Sequence, residues 1–419
     1  MKKRRYSKIK LNIEEFLDKL SEDKTIRVYL DKNLEFEKVI RNLRSKGIKF
    51  KDIAKKIGIA YITLWEYLNK KPAIPLYIIK NLDQAYSTNL MKKVTYLESG
   101  HQRDRAKIPI KVTKTIAKII GAHMADGHLR ERKTKWKGKE KEVIHYEIVL
   151  REEYFSTTLK FCEWMNKTFK IKLKPKKNKG HYEVYLSHKI IFLFFRDLFK
   201  LPVGRKTEIA KAPEFIKTKR KLMHSFLIGL LMFDGSVEYK RCVIGLISRS
   251  KALILDTINF LNKININPDY IRLKPDKYNR YLLTIYNPEK LKKAMSLFEK
   301  NTEKWYRLKE HFYGFGAATI PNTSKNLENL ILDLDKIYPR KRKSALTFTD
   351  VIYALKILKV VNIDQISNFL KRKKSINRDF LNKLEKWKIV VKLKYSKREN
   401  LKTAWMLNLQ LPNIRRNEI

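Results

Sequence analysis

The chain has 419 residues, and 94 Lys and Arg against 43 Asp and Glu give it a formal net charge of +51 at neutral pH. A hydrophobic content of 43% supplies several packed cores and excludes a wholly disordered chain. The longest apolar runs, such as 226–233, are far shorter than the roughly 20 residues that cross a bilayer, which excludes a membrane-spanning protein.

Residues 1–86 predict an N-terminal helical domain. Apolar residues at helical spacing indicate helices over Phe36–Lys46, Phe50–Ile57 and Tyr61–Asn69. Gly58 suits the left-handed turn of a helix-turn-helix, although other small three-helix bundles give the same pattern. In the helix-turn-helix interpretation, the third helix would present its exposed side chains to DNA. These side chains are Tyr61, Thr63, Trp65, Glu66 and Asn69.

Residues 108–320 contain an internal repeat, with units at about 108–205 and 215–316. Ile119–Gly127 reads IIGAHMADG and Leu227–Gly235 reads LIGLLMFDG, so each carries a glycine five positions before an Asp-Gly pair. Both repeats predict the element order αββαββα, with a sheet that has one apolar face and one basic face for DNA. The basic residues expected on these strands are Lys172, Lys174, Lys176, Arg272, Lys274 and Lys277.

The glycines inside the two apolar helices, Gly121 and Gly229, predict close helix–helix packing, since a glycine there costs about 0.5–1 kcal/mol relative to alanine. Such packing would bring Asp126 and Asp234 side by side. Two neighbouring carboxylates repel unless a cation lies between them, which predicts a Mg²⁺ or Mn²⁺ site. A lone Asp-Gly pair is more often a simple helix-ending turn, but two matched copies favour the metal site.

A polar linker over 322–343 leads to a C-terminal segment, 346–410. Three helices followed by two strands predict a winged-helix-like domain. The predicted elements are Phe348–Lys359, Ile363–Lys371, Ile376–Trp387, Ile389–Tyr395 and Lys402–Leu409. The start of its third helix is expected to contact DNA, although winged helices also bind proteins. The residues concerned are Lys373, Lys374, Asn377 and Arg378.

The paired motifs resemble the two LAGLIDADG motifs of double-motif, DOD-type homing endonucleases, over about residues 108–316. The resemblance implies that Asp126 and Asp234 are the catalytic metal ligands, and that the chain is a divalent-metal-dependent nuclease, a hydrolase that cuts both strands of a long DNA site. Leu201–Pro213 resembles the family segment that holds an active-site lysine, which implies a catalytic role for Lys206. Its counterpart in the second repeat would be Lys304 or Lys309.

The fold class predicted from the sequence is α+β, a pseudo-twofold pair of αββαββα units of LAGLIDADG type with helix-turn-helix and winged-helix-like flanks. A free-standing monomer in the cytoplasm, associated with the nucleoid and not with a membrane, is expected, since the terminal His-Asn of an intein is missing. The expected partner is double-stranded DNA. Two alternatives stay open: a transcriptional regulator that binds DNA without cutting, and an RNA splicing cofactor, or maturase, on the same scaffold.

Overall fold

The computed structural model describes residues 11–29, 34–70, 73–99, 105–135, 142–238, 243–300, 302–305, 307–308, 348–358, 360–386, 390–397 and 400–407. The chain divides into two compact units, which are described separately. The first comprises Met1–Leu150, Phe161–Lys174 and Val184–Phe226, and the second comprises Arg151–Lys160, Pro175–Glu183 and Leu227–Ile419. No helix among these described residues is both long and apolar enough to span a membrane.

The N-terminal region combines helices with a small sheet. Its helices are α1 (Ile13–Ser21), α2 (Leu34–Ser45), α3 (Phe50–Lys56), α4 (Tyr61–Asn69) and α5 (Leu76–Tyr86). The three helices expected from the sequence correspond to α2, α3 and α4. Gly58 takes the expected left-handed conformation, with a φ of 76°. Ile53 and Leu64 are buried where α3 meets α4.

An antiparallel sheet in this region differs from the purely helical prediction. It has the order β2-β1-β3-β4. Its strands are β1 (Ile26–Tyr29), β2 (Ile74–Pro75), β3 (Tyr96–Ser99) and β4 (Arg105–Lys107). Strands of two to four residues are too short to show the alternation that reveals a strand in a sequence.

The two repeats have the same order of elements, as the sequence predicts. The first contains α6 (Lys114–Met124), β5 (Gly127–Lys135), β6 (Glu142–Glu152), α7 (Phe155–Phe169), β7 (Lys176–Asn178), β8 (His181–Ser187) and α8 (Lys189–Leu193). After the short helix α9 (Glu214–Lys217), the second contains α10 (Arg220–Phe233), β9 (Gly235–Glu238), β10 (Val243–Ser248), α11 (Lys251–Lys263), β11 (Tyr270–Arg272), β12 (Tyr281–Ile285) and α12 (Pro288–Ala294). Their sheets have matching strand orders, β5-β6-β8-β7 and β9-β10-β12-β11.

The segment 171–175 is not a strand, contrary to the prediction of strands throughout 171–187. The side chain of Asn166, on α7, accepts a hydrogen bond from the Leu173 amide at 2.7 Å and donates one to the Leu173 carbonyl at 2.9 Å. The backbone groups that a strand would pair are therefore bonded to a helix side chain. Lys172 and Lys174 lie on this segment and not on a strand.

The C-terminal region contains α13 (Phe348–Leu358), β13 (Val360–Asn362), α14 (Ile363–Leu370), α15 (Lys374–Lys386), β14 (Val390–Lys397) and β15 (Asn400–Leu407). The three helices and the β14–β15 hairpin match the expected elements. The short strand β13 was not expected, and it completes a sheet of order β13-β15-β14. Ile352, Leu355, Leu381 and Trp405 form part of the core between the helices and this sheet.

Candidate active site and nucleic-acid interface

The first Asp-Gly pair ends a buried helix. Thr113 caps α6 by accepting a hydrogen bond from the Ile116 amide at 3.2 Å, and every residue from Ile119 to Ala125 is buried. Asp126 follows at the end of the helix and is exposed, and β5 begins at once with Gly127. The helix therefore presents a carboxylate at the surface directly after a final segment that is wholly buried.

The glycines after the two aspartates are required by close packing and not by a left-handed backbone. A Cβ on Gly127 would lie 2.5 Å from the Cα of His123, and a Cβ on Gly235 would lie 2.4 Å from the carbonyl oxygen of Leu231. Atoms cannot approach so closely. Each strand can therefore turn back against the helix before it only through a glycine; these two helices, α6 and α10, are called the motif helices below. The Asp-Gly pair therefore fixes where each aspartate leaves its helix.

Lys206 lies at the end of the first motif helix. Its ammonium group donates hydrogen bonds to the carbonyl oxygens of His123 and Ala125. The loop that carries it is attached to β5, since the Gly204 amide donates to the Leu129 carbonyl at 2.8 Å. A cation at this position binds the carbonyls of the final helical turn and complements the negative end of the helix dipole.

The second Asp-Gly pair has a similar arrangement. Asp234 is half-buried after α10, and its amide donates to the Leu230 carbonyl at 2.9 Å. Lys304 is buried, and its ammonium group donates to the carbonyls of Met232 at 2.6 Å and Phe233 at 3.0 Å. In both repeats, therefore, a lysine binds the last carbonyls of the motif helix immediately before the aspartate.

The two lysines come from different local structures. Lys206 lies in a loop, whereas Lys304 lies in a short helical segment over 303–305 and 307–308. Arg307 of that segment donates to the Val237 carbonyl at 3.1 Å, and Val237 is the second residue after Gly235, as Leu129 is after Gly127. Each repeat thus holds its lysine segment on the same carbonyl position of its first strand, by a backbone amide in one case and a guanidinium in the other.

The remaining predictions for the active site have mixed outcomes. Gly121 and Gly229 are both buried, and their packing against each other stays a prediction, as does the proximity of Asp126 and Asp234. Lys309 lies outside the described residues. Of the two candidates for the second lysine, the structure therefore places Lys304 beside a motif helix end.

His123 belongs to the interior of the first motif helix and is not presented as a ligand. Burial lowers the pKa of His123 well below its usual value, and the nearby charges of Lys206 and His128 act in the same direction. The imidazole is therefore neutral at neutral pH. Cys162 is also a buried core residue, and burial raises the pKa of its thiol to about 12. Cys242 lies outside the described residues.

The donor atoms near the Asp-Gly ends fit a hard divalent cation. Within the described ranges, no group of three or more His, Cys, Asp or Glu side chains is placed to hold a metal ion. Zinc sites in proteins use three or four such ligands. Mg²⁺ keeps several waters and takes one or two carboxylates together with phosphate oxygens, so a single aspartate at each helix end suits Mg²⁺ or Mn²⁺ where phosphate oxygens complete the site.

Most of the basic residues expected to bind DNA are exposed, although their settings differ. Lys174, Lys176, Lys274 and Lys277 are exposed, as is Lys172. Arg272, at the end of β11, is half-buried and donates to Asp276 at 3.2 Å. It therefore forms part of a folded loop and is not a fully solvated cation.

The loop between β11 and β12 is organised around Asp276. This carboxylate also accepts hydrogen bonds from the Tyr278 amide at 2.9 Å and from the Arg280 side chain at 3.0 Å. These bonds, with that of Arg280 first, lower the pKa of Asp276 to about 2. Tyr278 is exposed between Lys277 and Arg280, whose charged groups lie 5.1 Å and 4.6 Å from its ring centre. Such a basic and aromatic loop is suited to phosphate and base contacts.

Two residues of the flanking regions, Asn377 and Thr63, are less exposed than the sequence predicts. Asn377, expected at the DNA-contacting start of the third C-terminal helix, is fully buried and donates to the Ser367 hydroxyl at 3.0 Å. It joins α15 to α14 and is not available to DNA. Arg378 is exposed, and Lys374 is exposed but paired with Asp364. Thr63 is half-buried, and the exposed Asn69 donates to the Trp65 carbonyl of its own helix at 2.9 Å.

One polar cluster has no signal in the sequence. Glu147, on β6, has no exposed surface and binds Arg130, Arg132 and Tyr185. A sequence does not give strand register, so a glutamate and an arginine 17 positions apart gave no signal that they are partners.

Comparison with solved structures finds partial likenesses at low identity and low TM-score. A structure of mesophilic variants of the homing endonuclease I-DmoI is 19% identical, covers 44% of this chain and 94% of its own, and has a TM-score of 0.34. The meganuclease I-SmaMI bound to uncleavable DNA is 12% identical, with coverages of 56% and 98% and a TM-score of 0.35. The N-terminal LAGLIDADG domain of DUF199/WhiA is 15% identical, with coverages of 44% and 80% and a TM-score of 0.28. No protein family model and no curated protein sequence matches the chain.

Proposed function

We propose that the chain is a site-specific, divalent-metal-dependent DNA endonuclease. The observation that supports this best is the repeated helix end, in which an aspartate follows a buried helix and a lysine binds the last helical carbonyls, once at Asp126 with Lys206 and once at Asp234 with Lys304. Two such ends suit a substrate with two strands to cut.

Each aspartate would provide carboxylate oxygens for Mg²⁺ or Mn²⁺, and the bound cation would stabilise negative charge on the scissile phosphate and make water a better nucleophile. Lys206 and Lys304 would keep the helix ends fixed and add positive charge beside the phosphate. The net charge of +51 and the exposed basic loops would hold the duplex. The helix-turn-helix and winged-helix-like flanks would lengthen the recognised site.

The proposal is tested with a library of long random duplexes and Mg²⁺, using the full chain and the variants Asp126→Asn and Asp234→Asn. We expect the wild-type chain to cut a subset of sequences in both strands, and each variant to bind the same sequences without double-strand cutting. The substitution removes a metal-binding charge while it preserves side-chain shape. Tight binding by the wild-type chain without nicking would instead support a regulator, and preference for a structured RNA would support a splicing cofactor.

A further inference from the structure

A buried carboxylate holds two arginines on one face of the first repeat's sheet. Arg130 and Arg132 are two positions apart on β5, so their side chains project from the same face. Arg130 lies opposite Glu147 of β6 in the register of these strands. Leu129 and Ile148 are buried on the opposite face, which is the face that packs into the core.

Glu147 uses both of its carboxylate oxygens. Its Oε2 accepts a hydrogen bond from Nε of Arg130 at 2.5 Å and forms an ion pair with Nη2 of the same residue at 2.5 Å. Its Oε1 accepts from Nε of Arg132 at 3.1 Å and from the Tyr185 hydroxyl at 2.8 Å. The carboxylate itself has no exposed surface, whereas the side chains of Arg130 and Arg132 are 46% and 50% exposed.

Glu147 is ionised at neutral pH despite its burial. Burial raises the pKa of this carboxyl, but the hydrogen bonds from Tyr185 and Arg130 and the charges of Arg130 and Arg132 outweigh burial and lower it below its usual value. Two half-exposed guanidinium groups are therefore held by a charged group beneath them. In a protein with this excess of positive charge, a buried acid does not serve to strengthen phosphate binding.

The hydrogen bonds also determine which donors remain for a ligand. Glu147 contacts Nε and Nη2 of Arg130 and Nε of Arg132. It forms no hydrogen bond with Nη1 of either arginine, so these N–H donors can bind a ligand. Arginine recognises guanine through two donors directed at O6 and N7 in the major groove. An arginine whose guanidinium is already oriented loses less conformational freedom on binding, which favours recognition of one base over the others.

We propose that Glu147 is a positioning residue that orients Arg130 and Arg132 to read guanines in the major groove. The inference rests on the proposed function, since it requires this face of the sheet to lie against duplex DNA. In this proposal, Arg130 and Arg132, held by Glu147, recognise bases, whereas the many other basic residues provide affinity for DNA of any sequence.

The test is selection of binding sites from a random duplex library without a cleavage-supporting metal. The wild-type chain should select guanine at positions that Arg130→Lys and Arg132→Lys each lose, because lysine keeps the charge but not the paired donors. Glu147→Gln should reduce discrimination at the same positions by about tenfold, a typical value for one base contact. Its affinity for unrelated duplex and the dependence of that affinity on salt should not fall, since no positive charge is removed.

Glu131→Gln is the matched control. Glu131 lies between the two arginines on β5 and pairs with Arg196 at 2.7 Å, but it projects from the opposite face. This variant should select the same sites as the wild-type chain. Circular dichroism of all variants checks that they are folded.

The inference is overturned if Glu147→Gln is folded and selects the wild-type sites with undiminished discrimination. Should this variant fail to fold, unchanged guanine selection by Arg130→Lys and Arg132→Lys overturns it equally. A wild-type chain that selects no duplex sequence at all contradicts the proposed function itself, so the two failures can be told apart.

Discussion

Replacing Lys304 with methionine tests the link between the lysine and the second motif helix. The ammonium group is buried and donates two hydrogen bonds, at 2.6 Å and 3.0 Å, to the carbonyls of Met232 and Phe233. A hydrogen bond to a charged group contributes about 1.5–3 kcal/mol. Loss of both bonds is offset in part because a buried ammonium no longer has to be desolvated. We expect the helix end to be destabilised by about 2–3 kcal/mol.

The measurement is hydrogen exchange of the Asp234 amide, which bonds to the Leu230 carbonyl in the last turn of α10. A destabilisation of that size predicts exchange about 30- to 150-fold faster, because exchange through local opening follows the opening free energy. Lys206→Met is the matched comparison. Lys206 is only half-buried, so water can replace it and the effect on the first helix end should be smaller, about 1 kcal/mol.

Cleavage is measured alongside exchange. We expect Lys304→Met to reduce the single-turnover rate by about 10²-fold or more while affinity for the duplex changes little, as one phosphate contact at most is lost. Exchange of the Asp234 amide and a cleavage rate both within about threefold of wild type would refute the view that Lys304 fixes this helix end.

Three further predictions concern other parts of the molecule. Gly235→Ala should lower the free energy of unfolding by several kcal/mol, since its Cβ would overlap the Leu231 carbonyl. Gly47→Ala should lower it by only about 1 kcal/mol, because Gly47 has a φ of 82° but open space around it. Urea titration compares the two variants, and equal losses of stability would contradict the packing argument. Trp305→Ala should weaken the C-terminal core, against which Trp305 packs, and hydrogen exchange over 348–358 should become faster, while unchanged exchange would show that this contact is dispensable. Acid should weaken the Glu147 cluster: a carboxyl whose pKa is lowered in the folded state stabilises the protein above its unfolded pKa and loses this contribution as pH falls through the folded pKa. Denaturation between pH 6 and pH 3 should therefore show a larger loss of stability for wild type than for Glu147→Gln, and equal losses would argue against an ionised Glu147.

The repeat and its main elements could be predicted from the sequence because they depend on local patterns. Apolar residues at helical spacing end at Asp-Gly in both copies, and strands such as β6 and β10 are rich in Val and Ile, which favour strands. The requirement for glycine after each aspartate was visible as a repeated residue. Its cause is contact with the preceding helical turn, which depends on the three-dimensional structure.

Other features could not be predicted because they depend on contacts between distant residues. Lys304 lies in a helical segment that has no counterpart around Lys206, so comparison of the two repeats left Lys304 and Lys309 as alternatives. The buried Asn377 has the same polar sequence setting as its exposed neighbours. The hydrogen bond from Arg130 to Glu147 depends on the register of β5 and β6, which the residue pattern within each strand does not specify.

Binding of Mn²⁺ to the complex of the full chain with its selected duplex tests most directly whether the two repeats form one metal-dependent nuclease. Electron paramagnetic resonance can follow the bound ion with wild type, Asp126→Asn and Asp234→Asn. We expect duplex-dependent Mn²⁺ binding that is weakened in each variant. Binding by both variants as tight as that of wild type would contradict the assignment of these aspartates as metal ligands.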